Sequence, residues 1–231
     1  MVSEEKIPVH VTIIMDGNGR WARQRGEERL FGHNEGRESV RACVEYAVEK
    51  GIRYLSLFAF SEENWNRPRA EVEGLMHLML KAIMDETPLF HKNGIRFRVL
   101  GDMSRLSKEL RAQIDDCMTQ TETYERLTLV IFLSYSGKWD IVQAANRFMK
   151  ENPGKELDAG ALEKYLATAG IPDPDLLIRT SGEERLSNYM LWQTAYTEFY
   201  FTDVLWPDFR KTEFQYALDA FSKRERRFGK I

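Results

Sequence analysis

V-H-V-T-I-I-M-D-G-N-G-R-W-A-R-Q-R-G-E-E-R-L-F-G-H, the run from Val9 to His33, decides how the rest of the chain is read. Val9, Val11, Ile13 and Ile14 form a β-branched, nearly uncharged run, which predicts a short buried strand. The run stops at Asp16. Gly17 and Gly19 then allow a tight turn and close approach of the backbone to a bound group. Arg20, Arg23, Arg25, Arg29 and His33 follow directly. Backbone N–H groups at a turn entering a helix, backed by guanidinium forks, suit a phosphate or diphosphate. A carboxylate beside a phosphate repels it unless a cation lies between them, so Asp16 reads as a Mg²⁺ ligand. Two plainer readings compete. Gly17 to Ala22 also satisfies the dinucleotide pattern G-x-G-x-x-A, yet the next strand ends in Ala59-Phe60-Ser61 without the acid a ribose needs. A bare turn with surface arginines is the other; the coincidence of strand, glycines and basic cluster favours phosphate.

The chain has 231 residues, 43% hydrophobic and 30% charged, which is ordinary for a globular α/β protein. A net charge of −3 implies no general attraction to nucleic acid. Cys43 and Cys117 stand alone inside helical patterns, so neither a zinc spacing nor a disulfide framework is present and a reducing compartment is expected. Met1 to Pro8 carries no apolar signal core, and no apolar run reaches membrane-spanning length. The expected location is the cytoplasm, with contact at a membrane surface left open.

Working outward, Glu35–Lys50 predicts an amphipathic helix capped by Gly51, and Ile52–Phe60 a second strand. A polar loop follows, Ser61-Glu62-Glu63-Asn64-Trp65-Asn66-Arg67-Pro68. Glu71–Lys92 is a long helix rich in Leu and Met; it reads as buried on two sides or as a pliable apolar wall. Ile95–Gly101 predicts a strand, Ser107–Tyr124 a helix, and Leu127–Leu133 the most apolar strand, placed at the sheet centre. A helix runs through Trp139 and Phe148, and a shorter one spans Asp158–Ala169 with Asp158 as N-cap. Asp175–Arg179 is the last predicted strand; an aromatic segment Tyr189–Asp203 and a basic terminal helix Thr212–Phe228 complete the chain. Strands alternate with helices, without repeat or linker. The economical architecture is one α/β domain over residues 1–231, a mostly parallel central sheet flanked by helices.

In such sheets ligands bind beyond the carboxyl ends of the strands, and the polar motifs all fall there. Arg20, Arg29, His33 and Arg67 form one candidate anion cluster. Arg179, Arg185 and Ser187 form a second, though these arginines could equally pair with Glu183 and Glu184. Asp16, with Glu198, could hold a divalent cation. No Ser/His/Asp or Cys nucleophile pattern is present. Two anion sites, one metal and an apolar lining suggest the joining of two phosphorylated molecules with greasy remainders.

The order of motifs then becomes specific. Met15-Asp16-Gly17-Asn18-Gly19-Arg20-Trp21-Ala22, Gly32-His33, Phe60 to Pro68, Arg179-Thr180-Ser181-Gly182-Glu183 and Arg185-Leu186-Ser187-Asn188 together resemble the cis-prenyltransferases, most closely the bacterial undecaprenyl diphosphate synthases. The resemblance continues through Trp192-Gln193, Glu198-Phe199-Tyr200, Leu205 to Phe209 and Arg227-Phe228-Gly229. It implies a parallel sheet with helices around an apolar tunnel. It implies condensation of isopentenyl diphosphate onto an allylic primer such as farnesyl diphosphate, giving a long cis-polyprenyl diphosphate that serves as a cell-wall lipid carrier. On this resemblance Asp16 is the essential acid and Mg²⁺ ligand. Gly17, Asn18, Gly19, Arg20, Trp21, Arg29, His33 and Arg67 hold the allylic substrate, with Trp65 beside the reacting carbons. Arg179, Arg185 and Ser187 hold the diphosphate of isopentenyl diphosphate. Ser61 and Asn64 assist proton removal. Glu198 completes the metal site across a homodimer interface, Arg227-Phe228-Gly229 reaches a neighbouring site, and product release brings the protein to the membrane. Three departures stand out. Ser134-Tyr135-Ser136-Gly137 replaces the usual Asn-Tyr-Gly-Gly, Glu184 stands where some relatives carry histidine, and Arg37 stands where a small residue is frequent. Two rivals remain: a non-catalytic subunit on the same fold, which would lack the intact Asp16 loop, and a nucleotide-binding enzyme.

Overall fold

The computed structural model of the chain describes residues 6–225. Its strands are β1 (His10–Ile14), β2 (Tyr54–Ser61), β3 (Ile95–Leu100), β4 (Leu127–Tyr135), β5 (Leu176–Arg179) and β6 (Glu198–Phe201). They form one six-stranded sheet in the order β3-β4-β2-β1-β5-β6, parallel throughout. The helices are α1 (Asn18–Gln24), α2 (Arg29–Lys50), α3 (Arg69–Asn93), α4 (Lys108–Gln120), α5 (Gly137–Glu151), α6 (Ala159–Glu163) and α7 (Lys211–Ser222).

Side chains alternate across a strand, so each parallel register builds two layers. On one face Leu129 lies level with Leu55 and Phe97, and Ile131 with Leu57 and Val99. These residues pack in the main core with buried residues of α2, α3, α4 and α7. On the other face Val130, Phe132 and Tyr135 pack with Tyr189 and Met190. The helix starts follow capping chemistry: Ser107, Ser136 and Asp158 accept hydrogen bonds from the N–H groups of Leu110, Trp139 and Ala161. Gly51, at φ 75°, closes α2.

The differences from expectation have local causes. The most apolar strand, β4, is interior but one place from the edge; β2 and β1 hold the centre. Helix α2 begins at Arg29 rather than Glu35, because Gly32 lies directly on the Asn18 carbonyl and Arg29 is paired with Glu71. The opening stretch folds as α1, anchored at Trp21 by an indole N–H bond to Asp208 of 2.7 Å. The aromatic segment contains a sixth strand, β6, too short for a periodic signal. Between Asp158 and Ala169 only α6 is regular helix. Helix α7 ends at Ser222, and Arg227–Gly229 lie outside the described residues.

Candidate active site

The carboxyl ends of β1, β2, β4 and β5 converge on Asp16. Its backbone carbonyl accepts from the Thr180 hydroxyl at 2.6 Å and from the Trp206 N–H at 3.0 Å. Trp206 is anchored in turn to α2, through its indole N–H to the Gly36 carbonyl at 3.0 Å and from the Ser39 hydroxyl at 2.7 Å. Gly17 follows at φ 112° and starts α1; that backbone excludes most side chains, and a Cβ there would also press on Leu205. The loop is thus fixed from three segments, while the Asp16 carboxylate stays one-third exposed.

Asp16 Oδ2 meets Arg179 Nη2 at 3.0 Å and Arg20 Nη2 at 3.6 Å. Arg179 is only 3% exposed and also donates to Ser187 Oγ at 2.8 Å and to the Arg185 carbonyl. The open choice for the second cluster therefore divides: Arg179 serves Asp16 and Ser187, whereas Arg185 pairs with Glu183. Arg20 reaches Ser181 and Glu183 as well. In the first cluster, Arg29 and Arg67 bracket Glu71 at 3.2 and 3.1 Å. His33 is half-buried beside them, and its Nε2, shielded from solvent, has no hydrogen-bond partner. Burial first, and then the charges of Arg67 and Arg29, lower its pKa from 6.5 to about 4.

One cavity of about 710 Å³ joins these groups, with Asp16, Asn18, His33, Ser61, Asn64 and Arg67 on its wall. Arg179, Arg185 and Ser187 line the same cavity, which continues between Leu75, Met79, Ile83 and Phe90 of α3 and the sheet residues Leu57, Ile131 and Val99. The apolar-wall reading of α3 is the observed one. Asn64 Oδ1 accepts from the Ser61 N–H at 3.1 Å, holding the two together.

Several expected site residues lie off the cavity wall. Gly17, Gly19, Arg20 and Arg29 are not among the residues that line it. Trp21 is buried under Arg25, whose guanidinium lies 3.7 Å from the ring centroid. Trp65 donates to Ser134 Oγ at 2.9 Å and packs edge-on against Phe60. Glu198 opens β6 at the opposite end of the sheet, where it binds Arg224 at 2.9 Å. Within one chain it does not join Asp16. Sequence reading missed Glu71, whose spacing from Arg67 was a visible signal. It also missed Asn188, which donates to Glu63 at 2.7 Å while its Oδ1 accepts from the Lys138 N–H, tying together three strand-end loops. Among the described residues no group of three or more His, Cys, Asp or Glu could hold a metal. Asp16, one-third exposed on the cavity wall and held by Arg179 and Arg20, is a hard carboxylate donor of the kind Mg²⁺ takes together with substrate oxygens and water.

A parallel sheet carrying two arginine clusters and one acid at the mouth of an apolar cavity defines a class of protein that handles diphosphates with hydrophobic tails. A prenyltransferase family model described as "Putative undecaprenyl diphosphate synthase" matches residues 14–229. The ditrans,polycis-undecaprenyl-diphosphate synthase ((2E,6E)-farnesyl-diphosphate specific) of Pasteurella multocida (strain Pm70) is 50% identical over 228 residues, covering 96% of this chain and 95% of its own. Lavandulyl diphosphate synthase from Lavandula x intermedia, solved with dimethylallyl diphosphate, superposes with a TM-score of 0.93 at 35% identity, covering 97% and 99% of the two chains. A probable undecaprenyl diphosphate synthase from Campylobacter jejuni does so at 0.83 and 33% identity, covering 97% and 100%. The chain belongs to the undecaprenyl diphosphate synthase family of prenyltransferases.

Proposed function

We propose that this chain extends an allylic diphosphate, (2E,6E)-farnesyl diphosphate, with isopentenyl diphosphate units in cis geometry to make undecaprenyl diphosphate. One observation carries the reading: Asp16, with His33 and Arg67 of the first anion cluster and Arg179, Arg185 and Ser187 of the second, lines a single cavity whose interior is apolar. Arg67, with Arg29 behind it, the His33 ring and the N–H groups at the start of α1 receive the allylic diphosphate and stabilise the charge it gains as its C–O bond breaks. Arg179, Arg185 and Ser187 orient isopentenyl diphosphate so that its double bond meets the allylic carbon. Asp16 would hold Mg²⁺, which would supply further positive charge at the departing diphosphate. Ser61 and Asn64 assist removal of the proton, and the apolar wall keeps water from the allylic cation. The chain works as a homodimer whose partner's Glu198 completes the metal site, in the cytoplasm at the membrane face where product leaves. Among the described residues no helix is long and apolar enough to cross a membrane.

The test is Asp16→Ala. Condensation of radiolabelled isopentenyl diphosphate with farnesyl diphosphate should fall at least about 1000-fold, a loss of about 4 kcal/mol of transition-state stabilisation, while the variant remains folded, its melting temperature lowered by loss of the carboxylate beside the buried Arg179. Turnover at the parent rate would sink the assignment. Magnesium chelation should give a comparable loss that added Mg²⁺ restores.

A further inference from the structure

In the motif Arg185-Leu186-Ser187-Asn188 the first and third residues are the proposed diphosphate ligands, whereas the Asn188 side chain bonds to two other loops. Ser187 and Asn188 both take up left-handed backbone, at φ 49° and 61°, a region asparagine enters more readily than most residues. Ser187 Oγ meets Arg179 there, and the Asn188 amide leaves for its neighbours. An amide donates at one end and accepts at the other. Nδ2 donates to Glu63 Oε1 at 2.7 Å, and Oδ1 accepts from the Lys138 N–H at 3.0 Å. The Asn188 carbonyl accepts from the Gly137 N–H at 2.6 Å. Gly137 and Lys138 open α5, where N–H groups have no helical acceptor, so Asn188 satisfies both. Glu63 lies in the single 3-10 turn Glu62–Asn66; it lines the cavity together with Ser61 and Asn64. Two bonds hang that turn on the tip of β4: Trp65 Nε1 to Ser134 Oγ and Ser136 Oγ to Glu62, each 2.9 Å. Asn188 ties it to the second subsite. Burial works to raise the Glu63 pKa, yet the Asn188 bond leads the contacts that hold it below its ordinary value, so the bond is to a carboxylate and charge-assisted.

We propose that Asn188 is a positioning residue for proton removal: through Glu63 it sets the turn bearing Ser61 and Asn64 against the isopentenyl diphosphate held by Arg179, Arg185 and Ser187. It rests on the function proposed above and deepens it. When the new C–C bond forms, the isopentenyl unit carries a tertiary cation. Its C2 proton then leaves toward the Ser61–Asn64 turn, and the bonding pair becomes the new double bond. That transfer needs the turn within hydrogen-bond reach, and a misplacement of about 1 Å can cost about 100-fold. Asn188 follows Ser187 directly, so one residue and one hydrogen bond separate the second diphosphate ligand from the turn. Arg67 follows the turn but is held separately by Glu71 at 3.1 Å. Releasing Glu63 therefore loosens the turn while both diphosphate subsites keep their arginines.

The experiment compares the parent with Asn188→Gly, Glu63→Ala, Glu63→Gln and the Asn188→Gly/Glu63→Ala double variant. Single-turnover addition is followed with isopentenyl diphosphate carrying hydrogen or deuterium at C2, beside steady-state KM values. Glycine accepts φ 61° without strain, so Asn188→Gly removes the amide and keeps the backbone. Its single-addition rate should fall at least about tenfold, KM for both substrates should stay within about threefold, and the deuterium isotope effect should rise above the parent's. Glu63→Ala removes the same bond from the other side and should match it, which also serves should Asn188→Gly fold poorly. The double variant should be no slower than either single, because one interaction is lost in all three. Glu63→Gln, whose side-chain carbonyl accepts from Asn188, should recover most of the rate lost in Glu63→Ala. A raised KM for isopentenyl diphosphate at the parent's addition rate overturns the proposal by making Asn188 part of the subsite. A slower addition with the parent's isotope effect overturns it too, as do additive losses in the double variant. A parent protein that condensed nothing would instead refute the proposed function.

Discussion

His33 shows how one residue joins stability to ligand binding. Its folded pKa of about 4 lies below the unfolded 6.5, because burial and then the Arg67 and Arg29 charges disfavour the cation. The unfolded chain therefore binds more protons between those values. Stability from this group is complete above pH 6.5 and drains away as pH falls toward 4. At about 1.36 kcal/mol per unit the loss is about 3 kcal/mol. His10, buried between the Pro172 carbonyl at 2.6 Å and the Ser56 hydroxyl at 2.7 Å, drains stability over the same window, since burial lowers its pKa to about 4 too. Urea unfolding from pH 7 to pH 4 should show both effects, and His33→Gln should flatten the slope by roughly half; an unchanged slope refutes the argument. His33 was legible in the Gly32-His33 motif. Thr180 and Asn188 were not assigned, because their roles depend on loops brought together only by the sheet: Asn188 and Glu63 lie 125 positions apart.

Between elements, the decisive contact is α1 on α2. A Cβ on Gly32 would stand 2.1 Å from the Asn18 carbonyl oxygen, a backbone atom that cannot yield without moving α1. Gly32→Ala should therefore cost about 1–3 kcal/mol, as overpacking does. It should also raise KM for the allylic diphosphate about tenfold while KM for isopentenyl diphosphate changes little, since α1 carries the first subsite and β5 the second. Thermal melting and steady-state kinetics check both halves; equal changes in the two KM values would show general damage instead. At this scale the buried strands were readable from β-branched runs, and Asp158 marked a helix start through its capping chemistry. The start of α2 was hidden because Gly32 interrupts Arg29 to Asn34 with a weak helix former, and packing on α1 with the bond to Glu71 holds the first turns helical. Strand β6 was hidden because four half-buried residues at a sheet edge carry no clear alternation.

For the whole molecule, the question is how Glu198 could serve a site it cannot reach in its own chain. Asp16 follows the carboxyl end of β1, and Glu198 begins the edge strand β6 at the opposite end of a parallel sheet. Its carboxylate is half-buried and bound to Arg224. A second copy related by a two-fold axis would bring the same surface of each chain to the other, so each Glu198 would approach its neighbour's metal site. Asp16→Ala and Glu198→Ala homodimers are then each nearly inactive, for different reasons. In a mixed dimer one site loses both groups and the other, built from Asp16 of one chain and Glu198 of its partner, is intact. Random exchange of equal amounts places half the chains in mixed dimers with one good site each, so activity should recover to about a quarter of the parent's. Recovery should appear only after subunits have exchanged, at the rate of exchange. A Glu198→Ala enzyme as active as the parent, or a mixture no better than its parts after exchange is complete, would confine each site to a single chain and leave Asp16 as its one protein carboxylate.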